Sequence, residues 1–103
     1  SRLVFSRFEI GEKVDELIDT GWERFYIYQD KKDTRSRNRL ISVVEGLLEE
    51  CQPMSDYSAS TATNLLTDSK FGELVSIMKS ECIWPEELER LIQVASTSVL
   101  DCA

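Results

Sequence analysis

Three runs of apolar residues recur at the pitch of an α-helix, and no run offers a β-strand a partner to pair with. Leu40, Val44, Leu47, Leu48 and Cys51 fall at i, i+4, i+7, i+8 and i+11, which is one stripe on one helix face. Phe71, Leu74, Val75 and Met78 make a second stripe, and Leu88, Leu91, Ile92, Ala95 and Val99 a third. The punctuation agrees with helices. Asp33 or Thr34 suits the N-cap of the first, and Pro53 closes it. Asp68 and Ser69 stand ahead of the second. The third opens at Pro85, Glu86 and Glu87, where a first turn tolerates proline and favours acids.

The N-terminal third follows the same logic with weaker signals. Val14, Leu17 and Ile18 form a short helical face expected to end near Thr20-Gly21, followed by Trp22, Phe25, Tyr26 and Tyr28. The run Phe25 to Tyr28 has strand propensity, but with no second strand to pair with it reads as helix. A short helix is expected near Ser60 to Leu66, entered through the hydroxyl-rich stretch Ser55 to Thr63. That stretch is either a polar connecting loop or a set of phosphorylation sites. A chain of 103 residues makes one domain, 1–103, expected as an all-α compact bundle of about five to six helices. The chain starts at Ser1 rather than Met and ends directly after a helical pattern, as expected of a piece of a larger protein.

The two halves, 1–53 and 58–103, echo each other. Leu17-Ile18-Asp19-Thr20-Gly21-Trp22 with Phe25, Tyr26 and Tyr28 aligns with Leu65-Leu66-Thr67-Asp68-Ser69, Phe71, Leu74-Val75 and Ile77. Leu40-Ile41, Val44 and Leu48 then align with Leu91-Ile92, Ala95 and Val99, at a period of about 50 residues. This pattern resembles an armadillo/HEAT-like unit: a short helix, a middle helix, and a longer packing helix. The run Leu65-Leu66-x-Asp68-Ser69-x-Phe71-Gly72-x-Leu74-Val75-x-Ile77-Met78-Lys79, with the acidic helix start Glu86-Glu87, is also similar to the N-terminal domain family of transcription factor IIS. That likeness covers roughly residues 60 to 100. It departs from the family at the end of the last helix, where Ser96-Thr97-Ser98 replaces the usual basic and aromatic residues. Both resemblances imply two helical units that bind extended or disordered partner segments without catalysis. Two units alone bury their faces marginally, so Leu3 to Ile10, with Phe5 and Phe8, is expected to cap one end; otherwise a partner helix or second copy covers it.

Charge narrows the partner. The chain is −7 overall, which disfavours nucleic acid in general. Residues 31 to 39 nevertheless hold five cations, Lys31, Lys32, Arg35, Arg37 and Arg39, against the single acid Asp33. This segment is +4 and the remainder −11. Such a run is either a solvated face or a patch that selects an acidic or phosphorylated segment. Together with Tyr26 or Tyr28 it forms the expected partner-binding surface, since tyrosine and arginine are strong anchors at interfaces. Four nearly consecutive aromatic positions cannot share one helix face, so Trp22 and Phe25 are expected in the core and a tyrosine outside it.

Much chemistry is excluded. The chain has no histidine, which removes Ser-His-Asp and Cys-His nucleophile pairs and imidazole metal ligation. Cys51, Cys82 and Cys102 are odd in number and scattered, which argues against zinc and against a disulfide framework. Reduced thiols point to the cytoplasm or nucleus. Gly11, Gly21, Gly46 and Gly72 stand too far apart for a phosphate-cradling loop. Ser76-Ile77-Met78-Lys79 matches Ser-x-x-Lys of penicillin-binding enzymes but lacks that family's companion motifs. Glu49-Glu50 and Glu86-Glu87 read as helix-end charges. No stretch is long and apolar enough to span a bilayer. The expectation is therefore a non-catalytic scaffold or adaptor, needing no cofactor, that binds a protein or peptide segment. The alternatives are a homodimerising assembly module and, behind it, a nucleic-acid or phospho-segment contact through the Lys31 to Arg39 patch.

Overall fold

The computed structural model describes residues 7–50 and 63–101, with side chains for residues 14–50 and 63–97. Four helices are defined among these residues: α1 (Arg7–Lys31), α2 (Thr34–Glu49), α3 (Ser69–Ser80) and α4 (Glu86–Asp101). Residues 63–66 add one helical turn, and no strand occurs among the described residues. The protein is an all-α bundle, as the periodicity requires.

The ends of these helices are set by local chemistry. Asp33 is the N-cap of α2; its carboxylate accepts from the Ser36 N–H at 2.8 Å and from the Ser36 hydroxyl. Asp68 caps α3, accepting from the Lys70 and Phe71 N–H groups at 2.8 and 3.2 Å. The C-terminus of α3 closes in a Schellman motif. Ile83 N–H reaches Met78 C=O at 3.0 Å, Cys82 N–H reaches Lys79 C=O at 3.1 Å, and Cys82 sits in the left-handed region at φ 60°. Pro85 stands just ahead of α4, its carbonyl accepting from the Leu88 N–H at 3.1 Å.

A two-residue connection turns α1 back on α2 as an antiparallel hairpin, the most extensive helix contact in the molecule. The other face of α2 packs on α4, while α1 also touches α3. Polar ties show how α1 and α3 run. Trp22 Nε1 donates to the Lys70 carbonyl at 3.0 Å, Lys70 lies 3.8 Å from the Asp19 carboxylate, and Gln29 Nε2 donates to Glu81 Oε1 at 3.3 Å. Partners rise together along both helices, so the two are parallel neighbours.

The first two stripes are core: Leu40, Val44, Leu47 and Leu48 on α2, and Phe71, Leu74, Val75 and Met78 on α3. Val14, Ile18 and Phe25 supply the face of α1, and Leu65 and Ile83 fill in from the connections. The third stripe is core only in part. Leu88 and Ala95 are fully buried, whereas Leu91 and Ile92 are half-buried at its shoulder. Cys51, Pro53, most of the Ser55 to Thr63 stretch, and the side chains of Phe5, Phe8 and Val99 lie outside the described residues.

One expectation is corrected. The chain does not turn at Thr20-Gly21; α1 runs through both as a single helix of 25 residues. Gly21 serves close packing instead. A Cβ there would stand 2.9 Å from Leu74 Cδ2 and 3.8 Å from Val43 Cγ1, so the glycine lets α1 approach α2 and α3 at once.

Candidate functional site

The hairpin places the C-terminal end of α1 beside the N-terminal end of α2, and the basic run lies where they meet. Residues seven apart on a helix share a face. Lys31 therefore projects on the same side as Arg24, two helical turns earlier. Four residues apart on α2, Arg35 and Arg39 form the facing wall.

Two adjoining open depressions result. One, of about 660 Å³, is lined by Arg24, Thr34, Arg35, Asn38, Arg39 and Val43, among others. The second, of about 250 Å³, is lined by Arg24, Ile27, Lys31, Arg35 and Arg39 around the Asp33–Ser36 cap. Arg24, Arg35 and Arg39 border both, which makes this one continuous basic surface. Arg24 is the residue that the sequence reading missed. It precedes the charge run, and only its seven-residue spacing from Lys31 announces it.

The expected site residues are not all brought together. Lys31, Arg35 and Arg39 converge, whereas Arg37 lines neither depression. Lys32 turns back on α1: its Nζ donates to Gln29 Oε1 at 2.9 Å and lies 5.2 Å from the centre of the Tyr28 ring. Tyr28 is half-buried against the core. Tyr26 is 64% exposed, but two helix positions from Arg24 is about 200° of rotation, so it faces away from the basic surface. It closes an aromatic trio instead, its ring centre 5.9 Å from those of Trp22 and Phe25. Phe25 is the buried member and Trp22 is half-buried.

The electrostatics separate this surface from the rest of the molecule. Away from the hairpin, the three cations with described side chains each have an acid: Lys70 with Asp19, Lys79 with Glu89 at 3.3 Å, Arg90 with Glu86 at 3.3 Å. Among the described residues Arg24, Lys31, Arg35 and Arg39 have no carboxylate within ion-pair distance. Asp33, the one acid in the depressions, is committed to its cap. The hydroxyl and N–H of Ser36, and after them the charge of Lys31, hold its carboxyl below the ordinary value of 3.8. The surface thus keeps an excess of positive charge with its donors unspent.

A second polar knot ties α3 to α4. Trp84 Nε1 donates to Glu89 Oε2 at 2.9 Å, and Lys79 lies 5.6 Å from the Trp84 ring centre. The Trp84 bond, seconded by Lys79, lowers the Glu89 carboxyl from its usual value. All its members are spent on one another, so this knot is a brace. Among the described residues no three His, Cys, Asp or Glu side chains gather as a metal site, and no helix is long and apolar enough to cross a membrane.

Comparison with known proteins adds one likeness. The chain is 33% identical over 101 residues to Septu protein PtuB of Bacillus thuringiensis, an alignment that covers 96% of this chain. The chain spans only 39% of the length of that relative. No family model matches the chain, and no solved structure matches it.

Proposed function

We propose that this chain is a non-catalytic protein–protein interaction domain, a helical scaffold whose basic α1–α2 edge engages a disordered or helical segment of a partner protein. The observation that carries the reading is the set of four cations, Arg24, Lys31, Arg35 and Arg39, that border one open surface with no carboxylate of the described residues within ion-pair distance. Surface ion pairs form readily where acids are at hand, and this chain has 19 acids against 12 lysines and arginines. Cations left unpaired on so acidic a body are available to something outside it.

In this reading the helices act as in the helical-repeat families that the sequence resembles: a rigid frame holds a surface against an extended segment. The absence of histidine from all 103 residues supports a binding role over a catalytic one. The chain spans 39% of the length of Septu protein PtuB, so in this reading the domain is one part of a longer, PtuB-like protein. Any chemistry of such a protein is then carried by other segments. The exposed thiol of Cys82 fits a reducing, intracellular setting.

Cross-linking in the native host, followed by mass spectrometry of the isolated protein, tests this reading. A reproducible cross-link to a second, different protein is expected. Cross-links only within this chain or between copies of it would replace the adaptor reading with self-assembly.

A further inference from the structure

The joined depressions differ in chemistry along their length. At the hairpin end, Lys31, Arg24, Arg35 and Arg39 surround a polar hollow closed by the Asp33–Ser36 cap. Further along α2 the same arginines border a wider hollow whose lining passes to Asn38, Ser42 and the half-buried Val43. Here the methylene stems of Arg35 and Arg39 offer apolar cover beside their charged heads. Guanidinium groups present two parallel N–H donors that match a carboxylate.

We infer that this surface recognises a short acidic peptide segment of another protein, with side-chain carboxylates held by Arg24, Arg35, Arg39 and Lys31 and an adjacent apolar side chain resting over Val43. The inference rests on the interaction reading above and specifies its chemistry.

Size favours a peptide over a nucleic acid. Arg24 and Lys31 are seven residues apart on α1, a span of about 10 Å. An extended peptide covers that with about three residues. A nucleic-acid strand places a charge about every 3.4 Å along an axis far longer than this patch. It would soon leave the four surface cations for a body that is acidic overall, since the chain carries −7 in total. A short acidic segment ends before it meets that repulsion.

The test is a fluorescence anisotropy titration of the 103-residue chain with a labelled hexapeptide of alternating acidic pairs and leucine. The same peptide with Asn and Gln for its acids, and a 12-nucleotide single strand, serve as comparators. Saturable binding of the acidic peptide with Kd below about 1 mM is expected, weakened at least about tenfold in the amide peptide. Arg35→Gln with Arg39→Gln should weaken it by a similar factor, while Arg37→Gln leaves it unchanged. Circular dichroism shows whether each variant keeps its helices. Equal binding of acidic and amide peptides, or none of either, overturns the inference. So does tighter binding of the strand than of the acidic peptide. A foreign cross-link that persists in the Arg35→Gln/Arg39→Gln protein would leave the domain an adaptor while removing this surface as its site.

Discussion

Cys82 carries a side chain where the backbone favours glycine. Its φ of 60° closes α3, and left-handed conformations cost residues with a Cβ about 1–2 kcal/mol. Part of that is offset by the extra freedom that glycine brings to the unfolded chain. Cys82→Gly is therefore expected to stabilise the protein by about 0.5–1 kcal/mol in urea unfolding, with an unchanged slope. A loss of stability would mean that the thiol makes a contact outside the described residues. Gly21 is the opposite case. Alanine there gains about 1 kcal/mol in helix propensity. Its methyl, however, must displace the fully buried Leu74 side chain, and overpacking a core costs about 1–3 kcal/mol. Gly21→Ala is expected to destabilise by about 1 kcal/mol on balance. Gly46→Ala, with nothing within 4 Å of the new Cβ, should stabilise. Equal effects at both sites would contradict the close approach of α1 to Leu74. The Asp33 cap sets a pH dependence. Its folded-state pKa lies below its unfolded one, so the unfolded chain binds the extra proton in the interval between them, and stability rises with pH there. The cap's stabilisation is full above about 3.8 and is lost as pH falls through the lowered folded value. Asp33→Ala should be less stable than the parent at neutral pH, and the two should converge in strong acid.

At the level of helices, the stripes of α2 and α3 were legible because each is continuous at the helical pitch and each faces a core on one side only. Asp33, Asp68 and Glu86-Glu87 marked true helix starts because capping is a local bond, settled within three residues. What sequence missed were relations between helices. Gly21 read as a turn because glycine weakens an isolated helix; only the approach of Leu74 and Val43 explains its place inside one. Leu91 and Ile92 carry the right spacing, but α4 meets the bundle mainly through α2, and only Leu88 and Ala95 of its described side chains are fully buried. The difference is measurable. Leu88→Ala removes a fully buried side chain and should cost about 3 kcal/mol, while Leu91→Ala, from the shoulder, should cost about 1 kcal/mol. Equal costs would place α4 in a different rotation. The basic surface was half legible. The charge run pointed to the hairpin, but Arg24 joins it and Arg37 leaves it only once α1 and α2 are rotated to face each other.

As a whole, the molecule is an acidic bundle of 39 × 26 × 23 Å in which, among the described residues, the cations without an ion-pair partner sit at one end of one hairpin. That asymmetry is what an adaptor requires: the body stays soluble by repulsion while one edge attracts. Solution mass separates the proposed adaptor from an assembly module. Light scattering across a concentration series should give the monomer mass of 11.8 kDa throughout. A mass that doubles with concentration would make self-association the leading account. The most direct trial of the central claim is co-isolation from the native host by the parent chain and by Arg35→Glu with Arg39→Glu, at matched helicity. The account predicts that the charge-reversed chain loses the partner protein that the parent retains. Undiminished capture would contradict it, and would place the contact on another face of the bundle.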